Sequence, residues 1–159
     1  MFVPLEAHHS RRNDQSMSIR KAVIMAGGFG TRLRPLTMSV PKPMVPVANR
    51  PMMEHIVELL KRHGIRDVVS LLYFQPEHIT EFFGEGSAHN ITMRYMLAEA
   101  DFGTAGSVKN AESFLDERFI IISGDVLTDI DIEKAVAFHE ERGAMATIVL
   151  TRVPQPLQY

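Results

Sequence analysis

Lys21-Ala22-Val23-Ile24-Met25-Ala26-Gly27-Gly28-Phe29-Gly30-Thr31-Arg32-Leu33-Arg34-Pro35-Leu36-Thr37 is the stretch that decides the fold of this chain. Ala22 to Ala26 is a short apolar run with the length and β-branched content of a buried strand. The run breaks at glycines, which let a backbone approach a ligand closely and turn its N–H groups toward an anion. Arg32, Arg34 and, farther on, Lys42 place positive charge beside them. A strand that empties into glycines and cations outlines a polyphosphate site.

Two common phosphate motifs are excluded. A Walker loop needs Lys-Ser or Lys-Thr directly after its last glycine, and Thr31-Arg32 stands there instead. The dinucleotide fingerprint reads as far as Gly28-Phe29-Gly30 and fails at Leu33, where a small residue is needed for helix and strand to pack. It also needs a long helix after the glycines. Pro35, Pro41, Pro43 and Pro46 forbid one, because each removes a backbone donor and clashes with the preceding turn. The expectation is an extended loop that supplies its own cations.

Ala26-Gly27-Gly28-x-Gly30-Thr31-Arg32-Leu33-x-Pro35-Leu36-Thr37, followed by Pro41-Lys42-Pro43-Met44, resembles the signature of the sugar-nucleotide pyrophosphorylases, the nucleoside-diphospho-sugar nucleotidyltransferases. A lone glycine triplet would be weak; a match sustained over residues 26–44 with both cations in place is specific. The resemblance implies a Rossmann-like α/β fold of the nucleotide-diphospho-sugar transferase type. It covers about the first two-thirds of that family's catalytic core, so a truncated domain is expected.

Downstream, Met52, Ile56, Leu59 and Leu60 recur at helical spacing, with Pro51 at the start and Gly64 as a stop. Asp67 to Phe74 reads as a strand, Pro76 to Phe83 as a helix and Ile91 to Leu97 as a strand. Ala105 to Leu115 follows as a helix, Phe119 to Ile122 as a strand, Ile132 to Arg142 as a helix and Ala144 to Leu150 as a fifth strand. Such alternation predicts a mostly parallel sheet covered on both faces, with ligands bound beyond the carboxyl ends of its strands. No repeat or linker divides residues 17–159; residues 1–16 are polar, lack an apolar period and read as a disordered tail or a mis-assigned start.

The strand at Phe119–Ile122 ends in Ser123-Gly124-Asp125 on the same edge as the glycine loop. An acidic residue there is either a turn residue or a metal ligand. Beside a triphosphate loop the metal reading prevails, because magnesium needs only one or two protein carboxylates and fills its other sites with water and phosphate. Ser123-Gly124-Asp125-Val126-Leu127 is also similar to the family's metal-binding segment, which makes Asp125 the expected Mg²⁺ ligand. Asp129 and Asp131 read as turn and helix-capping residues.

The resemblance implies further roles. Arg32 and Lys42 are the expected catalytic cations. Ala26, Gly27, Gly28, Gly30 and Thr31 form the expected nucleotide loop, and Gly103 and Thr104 contact the base. Gln75 stands between a base contact and a helix-entry role. The run Gly103 to Ala111 with Gly124 to Asp129 is most similar to mannose-1-phosphate guanylyltransferases, implying GTP and mannose 1-phosphate as substrates. Thymidylyl or uridylyl transfer to glucose 1-phosphate is the rival, and a nucleotide-binding module without turnover is a third reading. The stretch where the family places sugar-binding groups and a second metal carboxylate is missing from the sequence.

Composition restricts the remaining classes. The chain has 159 residues, enough for one core, with a formal net charge of −2 and no basic stripe, which argues against a nucleic-acid partner. No apolar run is long enough to span a membrane, and zero cysteines rules out disulfides and thiolate metal sites and fits a cytoplasmic location. The seven histidines lack a His-x-x-x-His pair with an adjacent acid, and the ten methionines read as core filler. Homo-oligomerisation is left open.

Overall fold

The computed structural model describes residues 18–99 and 102–153; the expected tail at 1–16 lies outside them. Strand β1 (Lys21–Met25) forms where the sequence loses all polar alternation. Ala22, Val23 and Ile24 are fully buried, as a central parallel strand covered on both faces requires. Three further strands, β4 (Asp67–Leu72), β5 (Thr92–Leu97) and β6 (Phe119–Ser123), complete a sheet of order β5-β4-β1-β6. Every pairing is parallel, with Ala22 opposite Val68 on one side and Ile120 on the other. A two-stranded antiparallel ribbon, β2 (Pro46–Val47) and β3 (Arg50–Pro51), leads into the first long helix.

Side chains alternate across β1, and each face has its own core. Ile24 and Ala26 pack with Val68 and Leu72 against α1 (Met52–Arg62), α2 (Pro76–Phe83) and α4 (Ile132–Arg142). Val23 joins Val69, Leu71 and Ala111 under α3 (Gly103–Asn110) and the single turn Glu112–Phe114. The α3 face is the thinner cover, and Ile121 stays 46% exposed on it. At the amino end of β1 the ammonium of Lys21, itself buried, pairs with Asp116 and donates to the Phe114 carbonyl (2.8 Å). That ties the end of the α3 segment to the sheet.

Most expected elements stand within a residue or two of their predicted limits. Asp131 caps α4 as expected, its carboxylate accepting from the Lys134 N–H at 3.1 Å. Three expectations are corrected. The loop after β1 is not extended: it folds into single 3₁₀ turns at Thr31–Leu33, Leu36–Met38 and Lys42–Met44, and the Arg34–Pro35 peptide is cis. Prolines stop a long helix but tolerate one turn, since the first residues of a turn need no inward donor. The helix expected over Ala105 to Leu115 is shorter, because α3 ends at Asn110 before its 3₁₀ turn.

Ala144 to Leu150 is not a strand. Met145, Ile148 and Leu150 are almost fully exposed, and no described strand pairs with the segment. Apolar composition favours a strand only where a neighbouring edge satisfies its backbone groups.

Candidate functional site

Because β1, β4, β5 and β6 run in one direction, their carboxyl ends share an edge, and the loops beyond them line a cleft of about 260 Å³. From β1 the chain adds β4 and β5 on one side, then sets β6 on the other. At such a reversal the outgoing loops diverge and leave a crevice. Here they are the glycine loop of β1 and the Ser123–Asp125 exit of β6.

Ala26, Gly27, Gly28 and Phe29 form one wall. Gly30 turns the loop at φ +60, and a Cβ there would lie 2.9 Å from Thr37 Cγ2 and 3.0 Å from Lys42 Cβ. Glycine therefore allows the loop to press on the segment that carries Lys42. Among the described residues the N–H groups of Gly28, Phe29 and Gly30 have no carbonyl partner, so they stay available to an anion. Thr31, Arg32 and Arg34 are exposed just past the turn, and neither arginine has an ion pair among the described residues. The Phe29 ring sits edge-on to Tyr73 (5.6 Å) and 5.2 Å from Phe74.

The opposite wall comes from β6. Its exit is drawn against β1 by a 2.9 Å hydrogen bond from the Gly124 N–H to the Met25 carbonyl. A Cβ at Gly124 would stand 3.0 Å from Ile24 Cγ2, so the close approach needs glycine. Asp125 is thereby delivered into the cleft. Its Oδ2 accepts Lys42 Nζ at 2.8 Å, and its Oδ1 accepts the Ser123 hydroxyl at 2.8 Å. Burial alone pushes this carboxyl up, but the hydrogen bonds from Lys42 and Ser123 outweigh it and hold the group below the usual carboxylate range.

The end of the cleft under β5 is closed by α3, which contributes Gly103, Thr104, Ser107 and Asn110. The structure thus brings Ala26, Gly27, Gly28, Gly103, Thr104 and Asp125 together on one cleft, with Lys42 joined to it through Asp125. Gly30, Thr31 and Arg32 flank it. Gln75 does not line it: this residue precedes α2 in the left-handed region (φ 45), and its buried Oε1 has no partner among the described residues. Sequence reading missed Ser123, Ser107, Asn110 and Tyr73. A signal existed for two of them, since Gly103, Ser107 and Asn110 share a face at helical spacing.

No cluster of three or more His, Asp or Glu side chains able to cage a metal exists among the described residues. One half-buried carboxylate that already holds a cation 2.8 Å from one oxygen fits a different kind of ion. It suits a divalent ion that draws most of its ligands from water and phosphate, as magnesium does.

Residues 21–159 match the sequence profile of the nucleotidyl transferase family. The chain belongs to this family. Over 143 residues the chain is 40% identical to a mannose-1-phosphate guanyltransferase of Gibberella zeae, a match covering 87% of the chain and 39% of that protein. Over 149 residues it is 37% identical to a UTP–glucose-1-phosphate uridylyltransferase of Synechocystis sp., covering 86% of the chain and 38% of the relative. Its fold is similar to that of HddC from Yersinia pseudotuberculosis complexed with GMP-PN, with a TM-score of 0.69, 28% identity and coverage of 76% of this chain and 54% of that one. The chain spans about two-fifths of the length of the relatives it matches. No helix among the described residues is long and apolar enough to cross a membrane.

Proposed function

We propose that this nucleotidyl transferase binds a nucleoside triphosphate with Mg²⁺ in the β1–β6 cleft and serves transfer of the nucleotidyl group to a sugar 1-phosphate, with release of pyrophosphate. The observation that supports it best is the convergence of unpaired loop amides, Lys42 and Asp125, distant in sequence, on one end of one cleft.

In this reaction an oxygen of the sugar phosphate forms a bond to the α-phosphorus, and the bond from that phosphorus to the β-phosphate oxygen breaks. The nucleophile is already anionic, so neither a covalent intermediate nor an ionisable general base is needed. What remains is positioning and charge neutralisation. The amides of Gly28 to Gly30 cradle phosphate oxygens. Arg32, unpaired and at the loop's outer turn, takes the β- and γ-phosphates; Lys42 takes the α-phosphate and the incoming sugar phosphate. Asp125, with Ser123 fixing its orientation, would hold the magnesium, which would supply charge neutralisation for the departing pyrophosphate. Each preorganised cation contributes roughly 3–4 kcal/mol to the transition state, by analogy with oxyanion donors.

GTP and mannose 1-phosphate are the substrates we favour, on the Gly103–Ala111 and Gly124–Asp129 runs and the 40% identical guanyltransferase. A second reading has its own observation: Asp125 is the one carboxylate lining the described cleft. On that reading this length of chain binds nucleotide without turning it over. Titration with GTP, UTP and dTTP in Mg²⁺ tests binding, and pyrophosphate release with mannose or glucose 1-phosphate tests turnover. Binding with release supports transfer, binding alone supports the module, and no binding defeats both.

A further inference from the structure

We infer that Lys42 is the resident counter-ion of Asp125, and that a triphosphate arriving with its divalent cation exchanges this ion pair, the ammonium passing to phosphate and the carboxylate to the metal. The exchange presupposes the triphosphate reading of the cleft.

Each oxygen of the carboxylate already has a donor. Lys42 stands on a 3₁₀ turn between buried Pro41 and buried Pro43, packed under Gly30, and its ammonium bridges the glycine-loop side of the cleft to β6. Lys42 Nζ lies 2.8 Å from Asp125 Oδ2, while Ser123 Oγ lies 2.8 Å from Oδ1. Both side chains of the ion pair are 28% exposed, enough for either to be withdrawn without opening the core.

A bare divalent ion at Oδ2 would stand beside the ammonium already 2.8 Å from that oxygen, two like charges with no phosphate between them. A metal-free triphosphate meets the opposite difficulty: its nearest cation is already engaged, and Asp125 repels it. Together the two ligands resolve both problems, since each paired charge finds an opposite one. Metal and triphosphate should therefore bind synergistically. Arg32 and Arg34, unpaired among the described residues, have nothing to exchange. Ser123 is a positioning residue, holding the Asp125 carboxylate in place while its second oxygen changes partner.

The test is a double-mutant cycle on triphosphate binding without metal. Calorimetric titration with GTP, UTP and dTTP in excess EDTA is made on the wild-type chain, Asp125→Asn, Lys42→Met and the double variant. Exchange predicts that Asp125→Asn binds metal-free triphosphate about tenfold tighter than wild type, and that the gain is clearly smaller in the Lys42→Met background, where only the repulsion is relieved. An equal gain in both backgrounds would mean that Asp125 acts only by repulsion, and would overturn the exchange. So would wild-type protein that binds metal-free triphosphate as tightly as it does with Mg²⁺. Wild-type protein that binds none of the three with Mg²⁺ overturns the triphosphate reading itself, a distinguishable failure. Asp125→Ser with Lys42→Gln gives a second cycle if either first variant does not fold.

Discussion

The hydroxyl of Thr37 donates a 2.8 Å hydrogen bond to the carbonyl of Gly30, which fastens the glycine loop to a side chain that is only 2% exposed. The bond ties the turn at Gly30 to the 3₁₀ turn that carries Thr37. Thr37→Val keeps the shape and deletes the donor, leaving the Gly30 carbonyl without that partner. The expected loss is about 1–2 kcal/mol in chemical unfolding, with Thr37→Ser recovering most of it. Equal stability of the Val and Ser variants would show that the bond does not restrain the loop.

Gly30 and Gly28 are neighbours with opposite tolerance. A methyl at Gly30 meets Thr37 Cγ2 at 2.9 Å in a backbone conformation (φ +60) that side chains disfavour; at Gly28 nothing lies within 4 Å. Gly30→Ala should cost about 1–3 kcal/mol and weaken Mg²⁺–triphosphate binding, whereas Gly28→Ala should stay within about 0.5 kcal/mol of wild type in stability. Thermal and chemical unfolding of the two variants side by side decides it.

Arg32 has no structural tie among the described residues, so Arg32→Ala should leave the unfolding midpoint unchanged. Triphosphate affinity in Mg²⁺ should fall about tenfold or more, the loss expected for charged hydrogen bonds to phosphate. Undiminished affinity by calorimetry would remove Arg32 from the site.

Ile24 and Ile121 report on the two faces of the sheet. Ile24 is fully buried under α1 and α4, and truncation to Ala should cost about 2–5 kcal/mol. Ile121 is 46% exposed on the α3 face, and the same truncation should cost less than about 1 kcal/mol. Similar losses at both positions in urea unfolding would show that the thinner face is covered in solution.

Tyr95 supplies a pH dependence. Its hydroxyl donates to the Gly84 carbonyl at 2.7 Å, and burial raises its pKa from 10.0 to about 12. The folded state thus keeps a proton that the unfolded state releases. Stability from this group is intact below pH 10 and is lost as pH rises toward 12. Ultraviolet titration should show one late tyrosine, absent in Tyr95→Phe, whose stability should fall less steeply with alkaline pH.

Local chemistry was enough to read most of the helices and strands and the position of the glycine loop, but not the 3₁₀ turns within that loop or the unpaired state of Ala144 to Leu150. Gly27-Gly28-Phe29-Gly30 after an apolar run, and Asp125 after another, announce themselves because parallel strands deliver their exits to a common edge. The pairing of Lys42 with Asp125 was not legible. Sequence reading gives each a different ligand, and their meeting depends on β6 lying directly beside β1. Gln75 shows the same limit: its place after β4 marks the ligand edge, but its left-handed backbone and buried Oε1 are properties of the folded chain.

Composition and spacing along the covalent chain settled what each segment can become, since helix period, strand run and turn chemistry act over a few residues. Strand order decided the rest. The placement of β6 against β1 brought a lysine and an aspartate within 2.8 Å, and the lack of a described pairing partner left Ala144 to Leu150 outside the sheet, because ladder hydrogen bonds and ion pairs belong to two segments at once.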